Sequence, residues 1–255
     1  MTGPQRLLLG LVSLACASTP GPQTATPPAA PVEALSSAEG QPQPVPARIN
    51  LRYRDRTDPD TWAKQFEHEG REVFDRRHDI VKFLDLHDGM VVADVGAGTG
   101  MFTVAIAQAL GQGGRVIAVD AQDYFVSHIA ARSQALGLSN IETVLADQHH
   151  PNLPPNSVDL VFMCDTYHHL EYPQAYLEQL RAALRPQGRL VLIDYDRTNP
   201  HIQNQLGDHL RATPEVILAE IESSGFRLTT RSDLLKDNFT MVFTTAPTGA
   251  GAAAR

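Results

Sequence analysis

Short apolar segments alternate with longer amphipathic ones from residue 90 onward. The apolar segments are nearly continuous, which indicates strands that are covered on both faces. Such strands are typical of a parallel sheet enclosed between two layers of helices. The predicted strands span residues 90–95, 116–119, 141–145, 158–164 and 190–193.

Helix signals fill the intervals between these strands. Gly111 and Gly137 end two of the predicted helices, and Pro173 stands at the permitted first turn of a third. A fourth helix begins at 213–215 and ends at Gly225. The first three span residues 99–110, 124–136 and 173–184, and one or two further helices are expected within 60–86.

Two more apolar segments, 226–231 and 239–244, follow the fifth strand and are separated by a charged loop. They complete a sheet of seven strands, mostly parallel with the last strand antiparallel, and with helices on both faces. The fold class is therefore α/β. Open sheets of this kind bind ligands at the carboxyl ends of their strands, where the strand order reverses. We expect the chemistry to follow residues 95, 119, 145, 164 and 193.

Residues 1–17 have the pattern of an export signal. An apolar run at 7–15 follows Arg6 and is too short to cross the roughly 30 Å hydrocarbon core of a bilayer. Two processing routes stay open: cleavage after a small residue, or lipidation of Cys16 within an imperfect lipoprotein box that has Ser13 where leucine is usual. We expect export to the periplasmic side, with membrane attachment through Cys16 in the second route. An uncleaved cytoplasmic N-terminus is the alternative.

Residues 18–48 are rich in Pro, Ala, Thr, Ser, Gly and Gln and contain hardly any large apolar side chain. Such a segment cannot offset the entropy cost of ordering by burial, so we predict a disordered linker that its prolines keep extended. The folded domain is expected over 49–245. Residues 246–255 resemble the linker in composition and are predicted to form a flexible tail.

Charge and cysteine content narrow the function classes. The chain has 21 Lys and Arg against 29 Asp and Glu and no basic run, which argues against a nucleic-acid partner. Cys16 and Cys164 are too few and too far apart for a disulfide framework or a four-ligand zinc site. His149 and His150 lack acidic or thiol partners at ligand spacing, so no metal site is predicted.

A glycine-rich turn follows the first predicted strand. Residues 94–100 read DVGAGTG, which lets a ligand approach bare backbone just before a helix N-terminus. A dinucleotide-binding turn would place its third glycine where Met101 stands. No lysine follows the glycines, which excludes a Walker-type phosphate loop.

Carboxylates end the second and third predicted strands. Asp120 lies 20 residues beyond Gly100, where it can accept hydrogen bonds from both hydroxyls of a ribose. Asp147, followed by Gln148, is placed to accept a hydrogen bond from an adenine amino group. A lone aspartate at a strand end is usually a turn former. Together with the other two motifs, however, Asp147 favours a nucleoside site.

In this order and spacing, the motifs resemble those of the class I Rossmann-like methyltransferases that use S-adenosylmethionine. The resemblance covers about 66–243 and includes VDLV at 158–161 and the turn LRPQG at 184–188, where Gln187 replaces a usual glycine. It implies S-adenosylmethionine as cofactor, with Asp94 near its methionine amino group. The cofactor-binding residues that follow are Asp94, Gly96, Ala97, Gly98, Gly100, Asp120, Asp147, Gln148 and Asp165.

Within that family the chain is similar to an unassigned subgroup whose members often carry export signals and a segment like CDTYHHL at 164–170. Family architecture puts this segment beside the sulfonium, which implies that Asp165, Tyr167 and His168 meet the methyl acceptor as catalytic residues. His168 would take a proton from an attacking hydroxyl or amine. The alternative is that the paired histidines cap the strand and pack under the next helix.

A second polar cluster follows the fifth strand and contains Asp194, His209 and Arg211. In related sequences this loop covers the substrate, and His209 with Arg211 would suit an anionic or carbonyl-bearing acceptor. The alternative is a solvated loop with a surface ion pair. The sequence thus predicts a methyltransferase with a small-molecule acceptor. A non-catalytic exported ligand-binding protein and a nucleotide-dependent oxidoreductase are the alternatives.

Overall fold

A computed structural model describes residues 47–207 and 209–246. The predicted export signal, the predicted linker up to residue 46 and the predicted tail beyond residue 246 lie outside the described residues. Within the described part, no helix is both long and apolar enough to span a bilayer. The predicted helices and strands can be compared with the structure from residue 47 onward.

One sheet of seven strands organises the described part of the chain. The strand order is β3-β2-β1-β4-β5-β7-β6, and the order reverses between β1 and β4. Strands β1 to β5 pair in parallel, whereas β7 is antiparallel to both β5 and β6. This confirms the predicted α/β fold with an antiparallel last strand. The strands are β1 Val91–Val95, β2 Arg115–Asp120, β3 Ile141–Leu145, β4 Val158–Cys164, β5 Leu184–Tyr195, β6 Phe226–Ser232 and β7 Asn238–Thr245.

Helices cover both faces of this sheet. Alternate residues of β4 serve different cores: Val161 and Met163 pack on one face, and Leu160 and Phe162 pack on the other. The strand is therefore apolar throughout, as the sequence indicated. The helices are α1 Leu51–Asp55, α2 Pro59–Phe66, α3 Glu72–Asp75, α4 Arg77–Phe83, α5 Met101–Leu110, α6 Asp123–Ala135, α7 Pro173–Ala183, α8 Pro200–Leu206 and α9 Pro214–Ser223.

The region before β1 differs from its prediction. Where one or two helices were expected, α2, α3 and α4 are short, and Gly70 with φ of 92° separates α2 from α3. Helix α2 begins at Pro59 because the Asp58 side chain accepts hydrogen bonds from the backbone N–H groups of Asp60 and Thr61. Its Trp62 is fully buried and stacks on Tyr53 with 4.6 Å between ring centroids. This aromatic contact fixes the N-terminal helices beside the sheet.

Two further differences lie after β4. Strand β5 begins at Leu184 rather than at residue 190, so the predicted turn at 184–188 is part of the strand. Gln187 adopts a φ of 69°, and the pairing with β4 shifts register between Val158 and Leu160. Helix α8 stands within the predicted loop, where Asn199 caps it by accepting from the His201 N–H.

Phe162 at the centre of the sheet tests this packing. Its side chain is fully buried and meets the Phe102 ring edge-on at 5.0 Å. We expect Phe162→Ala to lower the free energy of unfolding by about 3–5 kcal/mol, because the substitution leaves a cavity between strand and helix. Equilibrium urea unfolding measures the change. The matched control is Val216→Ala on α9, where the side chain is 48% exposed and the change should stay within about 0.5 kcal/mol. A loss for Phe162→Ala no larger than the control's would contradict the described core.

Candidate active site

A cavity of about 480 Å³ opens at the carboxyl ends of the parallel strands. It is lined by the turns after β1, β2, β3 and β4, as open parallel sheets predict. Tyr53 and Phe66 close one side, and Ile202 and Leu206 of α8 close another. The volume falls in the range of about 300–1,000 Å³ that is usual for small-molecule sites.

The glycine turn forms the floor of the cavity. Gly96 has a φ of 74° and donates its N–H to the carbonyl of Val119 at 2.8 Å. A Cβ atom at Gly96 would lie 2.2 Å from the Thr166 side chain, so only glycine fits there. Gly98 also lines the cavity. Gly100 does not, because its Cα faces Ile129 of α6, 2.9 Å from where a Cβ would stand. Of the predicted glycines, Gly100 therefore packs against α6 and does not face the cavity.

Asp120 ends β2 with both carboxylate oxygens already oriented. One oxygen accepts a hydrogen bond from the Gly98 N–H at 2.8 Å, and the other accepts from the Gln122 N–H at 2.9 Å. Each carboxylate oxygen can accept two hydrogen bonds. The side chain therefore stays rigid and keeps one acceptor position on each oxygen for a ligand.

Asp94, the penultimate residue of β1, lines the same cavity and is 3% exposed. Its carboxylate accepts a hydrogen bond from the Thr103 hydroxyl of α5 at 2.6 Å. Burial, opposed by that hydrogen bond, raises the pKa of Asp94 to about 7, and burial likewise raises the pKa of Asp120 to about 6. Within the described residues, neither carboxylate forms an ion pair with a lysine, arginine or histidine. The cavity is thus prepared for a cationic group.

The end of β3 contributes a more exposed carboxylate. Asp147 lines the cavity together with Gln148, but its side chain is 60% exposed. One carboxylate oxygen accepts the N–H groups of His149 and His150 at 2.7 and 2.8 Å. These hydrogen bonds lower the pKa of Asp147. At the rim of the cavity, the hydrogen bonds of Asp147 are those of a turn-forming aspartate, which is the alternative given in the sequence analysis.

His168 is one of the residues that the sequence predicts on the acceptor side. It lies in a short 3₁₀ turn, Tyr167–His169, lines the cavity and is 3% exposed. Its Nδ1 lies 2.7 Å from a carboxylate oxygen of Asp194 at the end of β5. A carboxylate only accepts here, so Nδ1 carries the hydrogen and Nε2 is the free ring nitrogen. Burial lowers the pKa of His168, but the charge of Asp194, its hydrogen bond to the ring and the charge of Asp165 together raise the pKa above its usual value.

Tyr167 and Arg211 do not reach the cavity. Tyr167 is fully buried in the core and donates its hydroxyl hydrogen to Glu220 at 2.9 Å. Arg211 donates two hydrogen bonds to the same carboxylate at 2.7 and 2.6 Å. Neither side chain lines the cavity, so the predicted acceptor roles of both residues are not supported by their placement. Tyr167 and His168 therefore face different surroundings, although they are adjacent in the turn.

Asp165 lies at the cavity but is already neutralised. Its two oxygens accept hydrogen bonds from Arg71 at 2.6 Å and from Asn238 at 2.5 Å. Burial raises the pKa of Asp165, and the Arg71 charge opposes that rise. Sequence reasoning missed Arg71, because no motif surrounds it and 94 residues separate it from Asp165. Asp165 therefore fixes the wall of the cavity instead of offering a free charge.

Two further histidines stand beside His168. His169 places its Nδ1 2.8 Å from the Asn50 side-chain oxygen, and His209 from the connection after α8 lies with its ring centroid 5.1 Å from that of His168. Burial lowers the pKa of His169 well below its usual value and that of His209 to about 4. Sequence reasoning named His209 but not Asn50, and it considered His169 only as one of the paired histidines that would cap the strand. The pairing of His169 with His168 was the available signal.

Comparisons with known proteins agree with this architecture. A family model described as a methyltransferase domain matches residues 86–244. A SAM dependent methyltransferase from Aquifex aeolicus superposes with a TM-score of 0.66 and 28% identity, over 73% of this chain and 97% of that one. The [4+2]-cyclase SpnF gives a TM-score of 0.62 over 76% of this chain and 77% of its own, and at 19% identity it shows the fold alone.

Among curated proteins, the demethylmenaquinone methyltransferase of Oceanobacillus iheyensis is 27% identical over 118 residues, which are 46% of this chain and 50% of that protein. An uncharacterised 37.1 kDa protein in a Streptomyces fradiae transposon is 33% identical over 113 residues, 44% of this chain and 32% of that protein. The match thus spans half or less of these relatives. The family model, however, covers more than half of this chain, and the chain belongs to the methyltransferase domain family.

Proposed function

We propose that this protein transfers a methyl group from S-adenosylmethionine to a small-molecule acceptor. The observation that carries the proposal is the pair of buried carboxylates, Asp94 and Asp120, which open on one cavity and lack a cation partner among the described residues. A buried charge without a partner is costly, so such a pair favours a ligand that brings positive charge and hydroxyl donors. S-adenosylmethionine has both a sulfonium and an ammonium group beside a ribose.

The residues fit this methyl donor. Asp120 would accept hydrogen bonds from the two ribose hydroxyls through its two remaining acceptor positions. Gly96 and Gly98 present bare backbone to the cavity, and Asp94 would hold the ammonium group. When bound, the donor supplies a methyl group that is already activated by a positively charged sulfur. The protein therefore needs chiefly to align the reactants and to exclude water.

The acceptor side rests on His168. Asp194 keeps hydrogen on Nδ1, so Nε2 is the nitrogen that would take a proton from an acceptor hydroxyl or amine. Asp194 does not itself line the cavity and acts as a positioning residue. A cavity of about 480 Å³ suits a small molecule, and the excess of acidic residues does not favour a nucleic acid.

The two alternatives from the sequence receive no support. Met101 begins α5 directly after the glycine turn, in the position that a dinucleotide-binding turn gives to glycine. The family match speaks for methyl transfer over oxidoreduction. A non-catalytic binding protein would have no need of the His168 and Asp194 pair beside the cavity.

Asp120→Ala tests the donor site directly. We expect the affinity for S-adenosylhomocysteine, measured by calorimetry on the full chain, to fall at least about 100-fold, because two hydrogen bonds to a charged group are lost at about 1.5–3 kcal/mol each. Asp123→Ala is the matched control, since Asp123 is exposed and does not line the cavity. Unchanged affinity in Asp120→Ala, or tighter binding of NADH than of S-adenosylhomocysteine by the wild type, would remove the proposal.

Asp94→Asn separates the function of this carboxylate from its stability cost. The pKa of Asp94 is about 7 in the fold against an ordinary value of 3.8, so folding disfavours the ionised form. The wild type therefore loses stability from this group as the pH rises from about 4 to about 7, and the amide variant does not.

We expect the variant's stability relative to the wild type to increase by roughly 3–4 kcal/mol between about pH 4 and pH 8, since each pKa unit is worth about 1.4 kcal/mol. Urea unfolding at both pH values measures the difference, and calorimetry should show weaker S-adenosylhomocysteine binding. In Asp147→Asn the difference should stay nearly constant over this pH range, because the lowered pKa of Asp147 places its contribution to the pH dependence below about pH 4. A pH-independent difference for Asp94→Asn would show that Asp94 is not penalised by burial.

A further inference from the structure

Three histidines converge on one side of the cavity, and we call them the histidine cluster: His168, His169 and His209. One ring nitrogen from each lies within 4.8 Å of the other two. All three line the same cavity as Asp94 and Asp120. They come from two distant parts of the chain, the turn after β4 and the connection after α8. Within the described residues, this is the one such group of potential metal ligands.

Among the described residues, the hydrogen bonds behind the cluster leave Nε2 of His168 without a partner, and Nε2 of His169 with only the Tyr53 hydroxyl at 3.5 Å, a contact that a metal ion would replace. Asp194 accepts from His168 Nδ1, as described above. Asn50 donates both of its amide hydrogens, to the His169 carbonyl and to Glu171, each at 3.0 Å. Its oxygen must therefore accept from His169 Nδ1–H. Histidine ligands of metals almost always donate their other N–H to a carboxylate or amide oxygen in this way.

From this geometry we infer that the histidine cluster binds a divalent transition metal ion of the zinc class. Neutral imidazoles suit Zn²⁺, Cu²⁺, Fe²⁺ and Ni²⁺. Three protein ligands with one open position are typical of catalytic rather than structural zinc sites. The inference departs from the sequence-based expectation of no metal site, which considered His149 and His150 instead. The ligands here are separated by about 40 residues in the chain, so no sequence spacing could show them.

The cluster needs only a small adjustment to close around an ion. Bonds of about 2.0–2.1 Å to a tetrahedral ion place ligand nitrogens roughly 3.3 Å apart. His168 and His169 are fixed by Asp194 and Asn50, whereas none of the side-chain hydrogen bonds found in the described residues involves the His209 ring. His209 is half-buried and follows the end of α8, so its side chain is the one that we expect to move toward the ion.

The role of the ion rests on the proposed function. Held by these three side chains at the cavity, the ion would supply Lewis-acid chemistry and would lower the pKa of an acceptor hydroxyl or thiol. The acceptor proton would then pass to solvent. In that case His168 would serve as a ligand through Nε2 and not as the base.

The test uses the full chain purified without a polyhistidine tag and stripped with a chelator. We expect calorimetry with ZnCl₂ to show one site per chain, and Co²⁺ to give visible bands of a low-symmetry site without thiolate charge-transfer absorption, which separates histidine ligands from Cys164. His209→Ala should lower Zn²⁺ affinity at least about 100-fold, and Asp194→Asn should lower it about 10–100-fold. His78→Ala is the control, since His78 is exposed on α4 and outside the cavity.

The inference is overturned if the wild type shows no saturable Zn²⁺ binding, or if His209→Ala binds as tightly as His78→Ala. Circular dichroism checks the fold of each variant, and His209→Gln replaces His209→Ala if the latter does not fold. Titration of S-adenosylhomocysteine into the same metal-free sample keeps the two proposals apart. If the sample binds Zn²⁺ but does not bind S-adenosylhomocysteine, the proposed function is wrong and the metal site stands. If it binds S-adenosylhomocysteine but not Zn²⁺, the metal site is wrong and the proposed function stands.

Discussion

The burial of two carboxylates at the carboxyl edge of the sheet is the constraint on which the site depends. Asp94 lies in β1 and Asp120 ends the adjacent β2, so the parallel register itself brings them together. Neither has a cation partner in the described part of the chain, and burial raises both pKa values. The fold tolerates this cost because backbone N–H groups and Thr103 satisfy part of each carboxylate. A ligand that brings a cation and hydroxyl donors would remove the remaining cost of burying these carboxylates, and the free energy gained would contribute to its affinity.

The other side of the cavity is assembled from segments far apart in the chain. Asn50 reaches His169 and Glu171 across 119 and 121 residues, which ties the start of the described chain to the end of β4. Tyr53 and Trp62 stack beside this contact and keep the N-terminal helices in place. The N-terminal helices therefore form part of the cavity wall. Any change that loosens them would also free the His169 ring, because Asn50 and Tyr53 both contact it.

The sequence predicted the sheet well because a parallel strand buried on both faces must be apolar along its whole length. It failed where a boundary depends on backbone conformation, as at Gln187, whose positive φ lets β5 continue its pairing after a register shift. It found Asp120 because the glycine turn and the strand end are local signals. It could not find Arg71, whose partner is 94 residues away. It placed Tyr167 in the site with His168 because adjacency in sequence does not reveal which way a turn directs each side chain.

Asp194 decides what His168 can do in either chemical role. A general base needs an unprotonated Nε2, and a metal ligand needs the same atom with its lone pair directed outward. Both requirements are met only when Nδ1 keeps its hydrogen, and the carboxylate of Asp194 holds it there at 2.7 Å. The same carboxylate also accepts the backbone N–H groups of His168 and Tyr195, so it cannot rotate away without breaking the turn. The tautomer of His168 is therefore a property of the fold at the end of β5, and in the two proposals the occupant of the cavity would determine only which role Nε2 serves.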